Sequence, residues 1–308
     1  YAPTVMDLAP RDMVSRAIIS EIREGRGILG SDGTHYVNLD VSHLGKKVID
    51  EKLPEITGFA RTYLGVEPTK EPIPIQPTAH YAMGGIPTNV ECEVLADEKG
   101  TIVKGLYAAG ECACVSVHGG NRLGTNSLLD IVVFGRRGGK RMAEFIKSAD
   151  FSPINSTPAE KTREQMDKHL TATGSEKVYA LRTELQEWMM EKCGIFRNEA
   201  DLKAMIDKLN ELKEKFKNIS IQDKGKVFNT DLMEAIELEN LLLNAEATVY
   251  SAYNRRESRG AHTREDFPNR DDVNWMQHTF IFKNESGDPK ITTKPVTVTR
   301  YQPMERKY

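Results

Sequence analysis

The sequence predicts an α+β fold that closes in an all-helical domain built as a three-helix bundle. Three observations carry this expectation. Up to about residue 149, short apolar or alternating runs are interspersed with helical stretches and bounded by turn residues. From Thr157 onward, apolar residues recur at three- and four-residue steps. An apolar content of 39% over 308 residues suffices for more than one ordinary core.

Asp12 to Arg26 has helical spacing, with Met13, Ile18, Ile19 and Ile22 recurring mostly at three- and four-residue steps. Gly25, Gly27 and Gly30 stop it, Ser31-Asp32-Gly33-Thr34 forms a polar turn, and Tyr36 to Asp40 alternates as a strand does. A second helix is predicted over Lys46 to Leu64, broken at Pro54. Pro68, Pro72, Pro74 and Pro77 then impose an extended connector, because each fixes φ and removes a backbone donor. Beyond His80, Asp97-Glu98-Lys99-Gly100 reads as a hairpin turn and Val103 to Ala109 as a buried strand. A Gly-rich loop, Gly119 to Asn126, feeds a helix running from Ser127 to about Ser148.

Three periodic segments make up the predicted bundle. The first covers Lys177 to Glu191. Leu202, Met205, Leu209, Leu212 and Phe216 line the second, and Leu232, Ile236, Leu243, Val249 and Tyr250 mark a third that ends near Gly260. Such stripes are core by default. The tail from Ile291 to Arg300 is rich in Ile, Thr and Val, and Pro295 suits an edge strand.

Composition narrows the function. Charged residues make up 28% and nearly balance, for a formal net charge of −3, and no basic stripe occurs, so no nucleic acid partner is expected. Apolar-rich stretches such as Leu128 to Phe134 are far too short to span a bilayer, so membrane association would come through a partner. Cys92, Cys112, Cys114 and Cys193 form no C-x-x-C pair and no secreted framework. Cys112 and Cys114 have His118 nearby but no fourth ligand at a recognisable spacing, so no metal is expected and the thiols are read as reduced. Gly25-Arg26-Gly27-Ile28-Leu29-Gly30 matches G-x-G-x-x-G, yet dinucleotide binding needs a strand before it and a helix after it. Here the order is reversed, and the run is read as a helix stop.

The densest chemistry lies between Gly105 and Gly135. Glu111 can accept hydrogen bonds from ribityl or ribose hydroxyls. Asn126 and Ser127 are good N-caps, Asp130 is expected in the first turn, and free amides there favour anionic or carbonyl oxygen. On residues alone, a ligand-binding loop and a tightly packed turn with nothing bound both remain open. Arg122 can hold a carboxylate through two parallel hydrogen bonds, although an isolated arginine is more often a surface or structural ion pair. His80, beside an aromatic residue, is the kind of histidine usually satisfied at a core or an edge. Arg11, beside Asp12, would ordinarily form a local salt bridge.

The runs PTAHYAMGGIPT, GLYAAGECACVSVHGGNRLGTNSLLDIVVFGR and, at Glu257 to Trp275, ESRGAHTREDFPNRDDVNW resemble the flavoprotein subunit family of succinate dehydrogenase and fumarate reductase. DLAPRDMVSRAI and KVFNTDLMEAIELENLL fit the same family, so the resemblance extends over almost the whole chain. It implies an oxidoreductase that interconverts succinate and fumarate by hydride transfer to or from FAD. Electrons would be exchanged with quinone through an iron–sulfur subunit and a membrane anchor. The implied location is peripheral, on the cytoplasmic face of a bacterial inner membrane or the matrix side of a mitochondrial one.

By family order, residues 1–76 fall in a partial capping domain and 77–149 return to a partial FAD-binding domain. Residues 157–280 form the C-terminal helical domain and 281–308 a tail with an edge strand. Arg11 resembles the arginine that shuttles a proton to or from the substrate carbon. His80 and Arg122 resemble the pair holding the dicarboxylate substrate, with Thr125 supplying a nearby backbone contact. Glu111, Asn126, Ser127 and Leu128 resemble the returning part of the flavin site, and Glu257 to Arg264 is expected to be mainly structural. The family's glycine-loop unit, which grips the ADP moiety, and its flavin-linking histidine have no counterpart in these residues. That implies a fragment inactive alone and without retained FAD. L-aspartate oxidase is similar in the H-Y and N-R-x-x-x-N-S-L patterns, but Met83-Gly84-Gly85-Ile86 and REDFPNRDDVNW favour the succinate enzyme. A non-catalytic helical docking module over Thr157 to Gly260 leaves the Arg11, His80 and Arg122 set without a reason.

Overall fold

A computed structural model describes residues 1–154, 157–284 and 286–304. The chain divides into two compact units, Tyr1–His80 and Tyr81–Met304.

The first unit opens on α1 (Arg11–Arg23), where Arg16 and Asp12 pair at 2.9 Å across one turn. After it, β1 (Ile28–Leu29) and β2 (His35–Leu39) form an antiparallel hairpin, so the G-x-G-x-x-G run has the helix-first context that rules out a dinucleotide turn. α2 (Gly45–Lys52) and α3 (Pro54–Phe59) divide at Leu53, and Pro54 takes the first helical position, where its missing N–H costs nothing. The proline connector is more than a linker. Residues Ile73–Ile75 form β3, an edge strand on β2, and Pro74 is accommodated because an edge need not donate on both sides.

In the second unit, β4 (Ile86–Pro87) is followed by a hairpin of β5 (Glu93–Leu95) and β6 (Ile102–Tyr107), and then by β7 (Ala113–Cys114), which pairs in parallel with β4. The Asp97 carboxylate accepts from the Lys99 and Thr101 amides at 3.0 Å each and closes the expected turn. The expectation of a buried strand at Val103 to Ala109 is corrected. β5 is buried, but Ile102, Val103 and Leu106 on β6 are exposed, as are Leu128, Leu129 and Val132 on α4 (Asn126–Phe145). An apolar run records what a chain favours burying, and β6 has only β5 beside it in its sheet.

The helical region contains α5 (Thr157–Thr171), β8 (Glu176–Lys177), α6 (Val178–Lys192), α7 (Glu199–Phe216), β9 (Ile219–Ser220) and α8 (Thr230–Asn254). The three predicted helices share one core, in which Leu181, Leu202, Met205, Leu209, Leu238 and Val249 are almost fully buried. Asn198 and Asn229 start α7 and α8 as side-chain caps, accepting from Asp201 and Leu232 amides at 2.9 and 2.7 Å. Two corrections apply to the all-helical three-helix picture. α5 is a fourth helix, tied to α8 by a 3.1 Å contact between His169 and Glu239, and β8 pairs in parallel with β9. α5 offers few apolar positions to periodicity, and two-residue strands leave none.

The tail strand is Pro289–Pro295, β11, rather than Ile291 to Arg300, and it pairs antiparallel with β10 (Gln277–Lys283), a partner that begins before residue 281. Pro295 stands at its end, opposite Gln277. Residues 305–308 of the expected tail lie outside the described residues. Among the described residues no helix is long and apolar enough to cross a membrane.

Candidate active site

The loop between β7 and α4 carries most of the chemistry. Gly85 (φ 143°) lets β4 reach β7, since a Cβ there would stand 2.5 Å from the Cys112 carbonyl oxygen. Glu111, exposed, accepts from the Ala82 amide at 3.1 Å, so one carboxylate oxygen fixes the turn that follows His80.

Asp130 departs from expectation. It is not a first-turn acid that complements the helix dipole but lies one turn deeper, 4% exposed, on the inward face of α4. There His118 Nε2 stands 3.0 Å and the Tyr81 hydroxyl 3.4 Å from the same oxygen, Oδ2. The rings of Tyr81 and His118 meet edge to face, 5.4 Å apart at 87°. Burial, then the charges of Asp130 and Glu111, push the Tyr81 hydroxyl above its ordinary pKa, against a hydrogen bond from Ser127 and the charge of Arg122. The phenol therefore stays protonated and donates.

The Arg122 guanidinium lies over the Tyr81 ring at 4.3 Å, and its Nη1 donates to the Leu123 carbonyl at 3.1 Å. Arg122 Nε and His118 Nδ1 are both buried without a hydrogen-bond partner. Such orphan groups cost free energy unless a ligand or water completes them.

The cap assignment is also corrected. The cap position of α4 is Thr125, at φ 63°, and no side chain caps the helix. Thr125 turns its hydroxyl onto the Gly124 carbonyl at 2.7 Å, while its own carbonyl accepts from the Leu128 amide at 3.0 Å. Because the chain enters the helix through a left-handed residue, Asn126 and Ser127 begin the first turn rather than capping it. The Asn126, Leu128 and Leu129 amides already donate to the Leu123 and Thr125 carbonyls, at 3.3, 3.0 and 3.5 Å, so the backbone itself closes most of this helix start.

Support for this loop comes from the segment Glu257 to Arg264. The Ala261 amide donates to the Gly120 carbonyl at 2.8 Å, and a Cβ on Gly260 (φ 60°) would stand 2.3 Å from that carbonyl oxygen. Glu257, fully buried, accepts from Arg255 Nη1 at 2.6 Å, from Arg259 Nε at 2.8 Å and from the Asp271 amide at 2.9 Å. Arg264, 1% exposed, donates to the Ala252, Tyr253 and Arg255 carbonyls at the end of α8 and forks onto Asp266. His262 accepts from Arg197 at Nδ1, and burial together with that arginine holds its pKa down at about 4, so it is neutral and donates from Nε2 to the Arg255 carbonyl. Sequence reading gave this segment a structural role but not its grip on the Arg122 loop. The only hint was a pair of distant glycines, Gly120 and Gly260, which turn out to touch.

The predicted site residues thus fall in two groups. Glu111, Arg122, Thr125, Asn126, Ser127 and Leu128 share one loop and helix start in the second unit. Arg11, the exposed first residue of α1, and His80, exposed after the proline strand, belong to the first. His118 is engaged by Asp130, and among the described residues no cluster of three His, Cys, Asp or Glu side chains is arranged to hold a metal.

An FAD binding domain family matches residues 3–128, and the fumarate reductase flavoprotein C-terminal family matches residues 182–308. The succinate dehydrogenase flavoprotein subunit of Rickettsia bellii is 46% identical over 97% of this chain and 50% of its own length. The fumarate reductase flavoprotein subunit of Proteus vulgaris is 45% identical over 98% of this chain and 50% of its own. Among solved structures, FrdA of the E. coli quinol fumarate reductase, in a point mutant, superposes with a TM-score of 0.90 at 42% identity, covering 97% of this chain and 51% of that one. The chain spans about half the length of the curated relatives it matches. With the FAD binding domain family matched through the Arg122 loop and the flavoprotein C-terminal family matched over the end of the chain, the chain belongs to the flavoprotein subunit family of succinate dehydrogenases and fumarate reductases.

Proposed function

We propose that this chain contributes the substrate-binding loop and part of the flavin site to a subunit that interconverts succinate and fumarate. The observation that carries the reading is Arg122. Its guanidinium lies over the Tyr81 ring and its Nε is buried without a partner, beside a helix start that no side chain caps. A dicarboxylate supplies the acceptors such a group lacks.

The residues present fit the returning part of an FAD site. A Cβ at Gly84, Gly119 or Gly124 would meet nothing within 4 Å, so the backbone is open to a large ligand. Glu111, Asn126, Ser127 and Leu128 would hold it, and FAD when bound supplies the two-electron acceptor or donor. Arg122 binds one carboxylate in two parallel bonds and withdraws charge from the reacting carbons, with the Thr125 backbone alongside. By resemblance, His80 binds carboxylate, and Arg11 moves the proton at the substrate carbon adjacent to the one that exchanges hydride. An arginine has a pKa above about 12, so that role needs a site from which water is excluded. Electrons pass to or from quinone through an iron–sulfur subunit and its membrane anchor. The subunit is therefore peripheral, on the cytoplasmic face of a bacterial membrane or on the mitochondrial matrix side.

A full-length subunit containing this chain is expected to oxidise succinate with an artificial electron acceptor and to show no turnover with aspartate and oxygen. The opposite pattern would assign it to the L-aspartate oxidases. The 308-residue chain alone is expected to be inactive and to purify without flavin. It offers only some of the cofactor's contacts, and β6 keeps an unpaired edge. A stoichiometric flavin band in its visible spectrum would contradict this.

A further inference from the structure

We propose that Tyr81 is a positioning residue for Arg122, and that the buried His118–Asp130 pair fixes the ring of Tyr81 in place. The proposal rests on the reading of Arg122 as the partner of a substrate carboxylate.

An arginine that binds a carboxylate in two bonds must present its planar fork in one orientation, yet its side chain turns about several bonds. A fixed acidic partner would hold the fork, but it would also neutralise the charge and compete with the ligand for the same N–H groups. An aromatic face avoids both problems. It attracts the cation from one side of the plane and leaves the in-plane N–H groups available. The Arg122 guanidinium carbon stands 4.3 Å from the Tyr81 ring centroid, within that range.

The ring works as a platform only if it is itself held. Its hydroxyl reaches Asp130 Oδ2 at 3.4 Å, and its face or edge meets the His118 ring at 87° and 5.4 Å. Asp130 sits on a rigid helix, with 3% of its side chain exposed, and its Oδ2 also takes His118 Nε2 at 3.0 Å. That contact sets the histidine tautomer, with the proton on Nε2, and its side chain is 6% exposed. One carboxylate oxygen, Asp130 Oδ2, thus takes both His118 and the Tyr81 hydroxyl.

The test uses a full-length, flavin-loaded subunit containing this chain, with malonate as an inert dicarboxylate probe. Tyr81→Leu removes the platform and is expected to raise the malonate Kd and the succinate KM about tenfold, the scale of one cation–π contact, with a smaller change in kcat. Tyr81→Phe keeps the ring but loses its anchor, and is expected to fall between wild type and Leu. If Tyr81→Leu does not load flavin, Tyr81→Met takes its place. A purely structural role would weaken binding equally in any background. Positioning through Arg122 predicts that Tyr81→Leu has little further effect once Arg122→Lys has removed the fork. An unchanged malonate Kd in Tyr81→Leu, a Phe variant as weak as Leu, or an undiminished loss in the Arg122→Lys background would each overturn the proposal. If Arg122→Gln itself leaves malonate binding intact, the carboxylate reading of Arg122 has failed, which is a separate result.

Discussion

Replacing Arg122 with glutamine in a full-length subunit is expected to lower kcat/KM for succinate about a thousandfold while leaving the melting temperature within a few degrees of wild type. The size follows from removing one partner of a desolvated, charge-assisted pair, which costs about 2–5 kcal/mol, a range of about 1.5 to 3.7 powers of ten that contains a thousandfold loss. Stability should scarcely change, because the protein contacts of Arg122 are few and weak. Among the described residues it has one bond to the adjacent Leu123 carbonyl and one ring face, and its Nε is already unsatisfied. Removing that orphan donor relieves a cost, which offsets part of the lost cation–π attraction. Arg122→Lys keeps the charge but not the fork, and is expected to lie between the two. Steady-state kinetics with a thermal melt on the same preparations decides the matter. A glutamine variant with wild-type kcat/KM would remove Arg122 from the site.

Much of the helical region was legible because its signals are local. Leu202, Met205, Leu209 and Leu212 recur at helical spacing and all are buried. The context of the G-x-G-x-x-G run was also legible, since a helix precedes it and a hairpin follows. What escaped depended on contacts between distant residues. α5 has few apolar positions and is held to α8 by His169 and Glu239. Pro74 argued for a connector, and only the pairing with Asn38 reveals an edge strand. Asp130 occupied the right helix but was placed in its first turn, because nothing in the spacing announces that Tyr81 and His118 converge on it. The site residues of the second unit lie within one continuous stretch of chain, and that stretch could be read. The groups that orient them come from 49 and 12 residues away from Asp130 and could not.

The largest expected loss of stability is at Glu257. Glu257→Ala should lower the unfolding free energy by about 3–5 kcal/mol, because it strands buried cations rather than merely deleting an ion pair. The carboxylate is fully buried and accepts from Arg255, from Nε and Nη2 of Arg259 and from the Asp271 amide. Arg259 would retain Asp272 at 2.7 Å, and Arg255 its carbonyl contacts, so neither becomes wholly unpaired, which keeps the cost within that range. For a domain of this size the melting temperature should fall by roughly 10 °C. The effect should also reach the substrate. Arg259 and His262 exchange backbone hydrogen bonds around Gly260, and this turn abuts Gly120, two residues before Arg122. Glu257→Ala should therefore raise the succinate KM as well as lower the melting temperature, whereas Arg122→Gln changes only the first kind of quantity. Glu257→Gln keeps the volume and one acceptor oxygen and should recover part of both. A Glu257→Ala variant that melts like wild type would show that the arginines find other partners, and that the clasp behind the Arg122 loop is held by backbone packing at Gly120 and Gly260 alone.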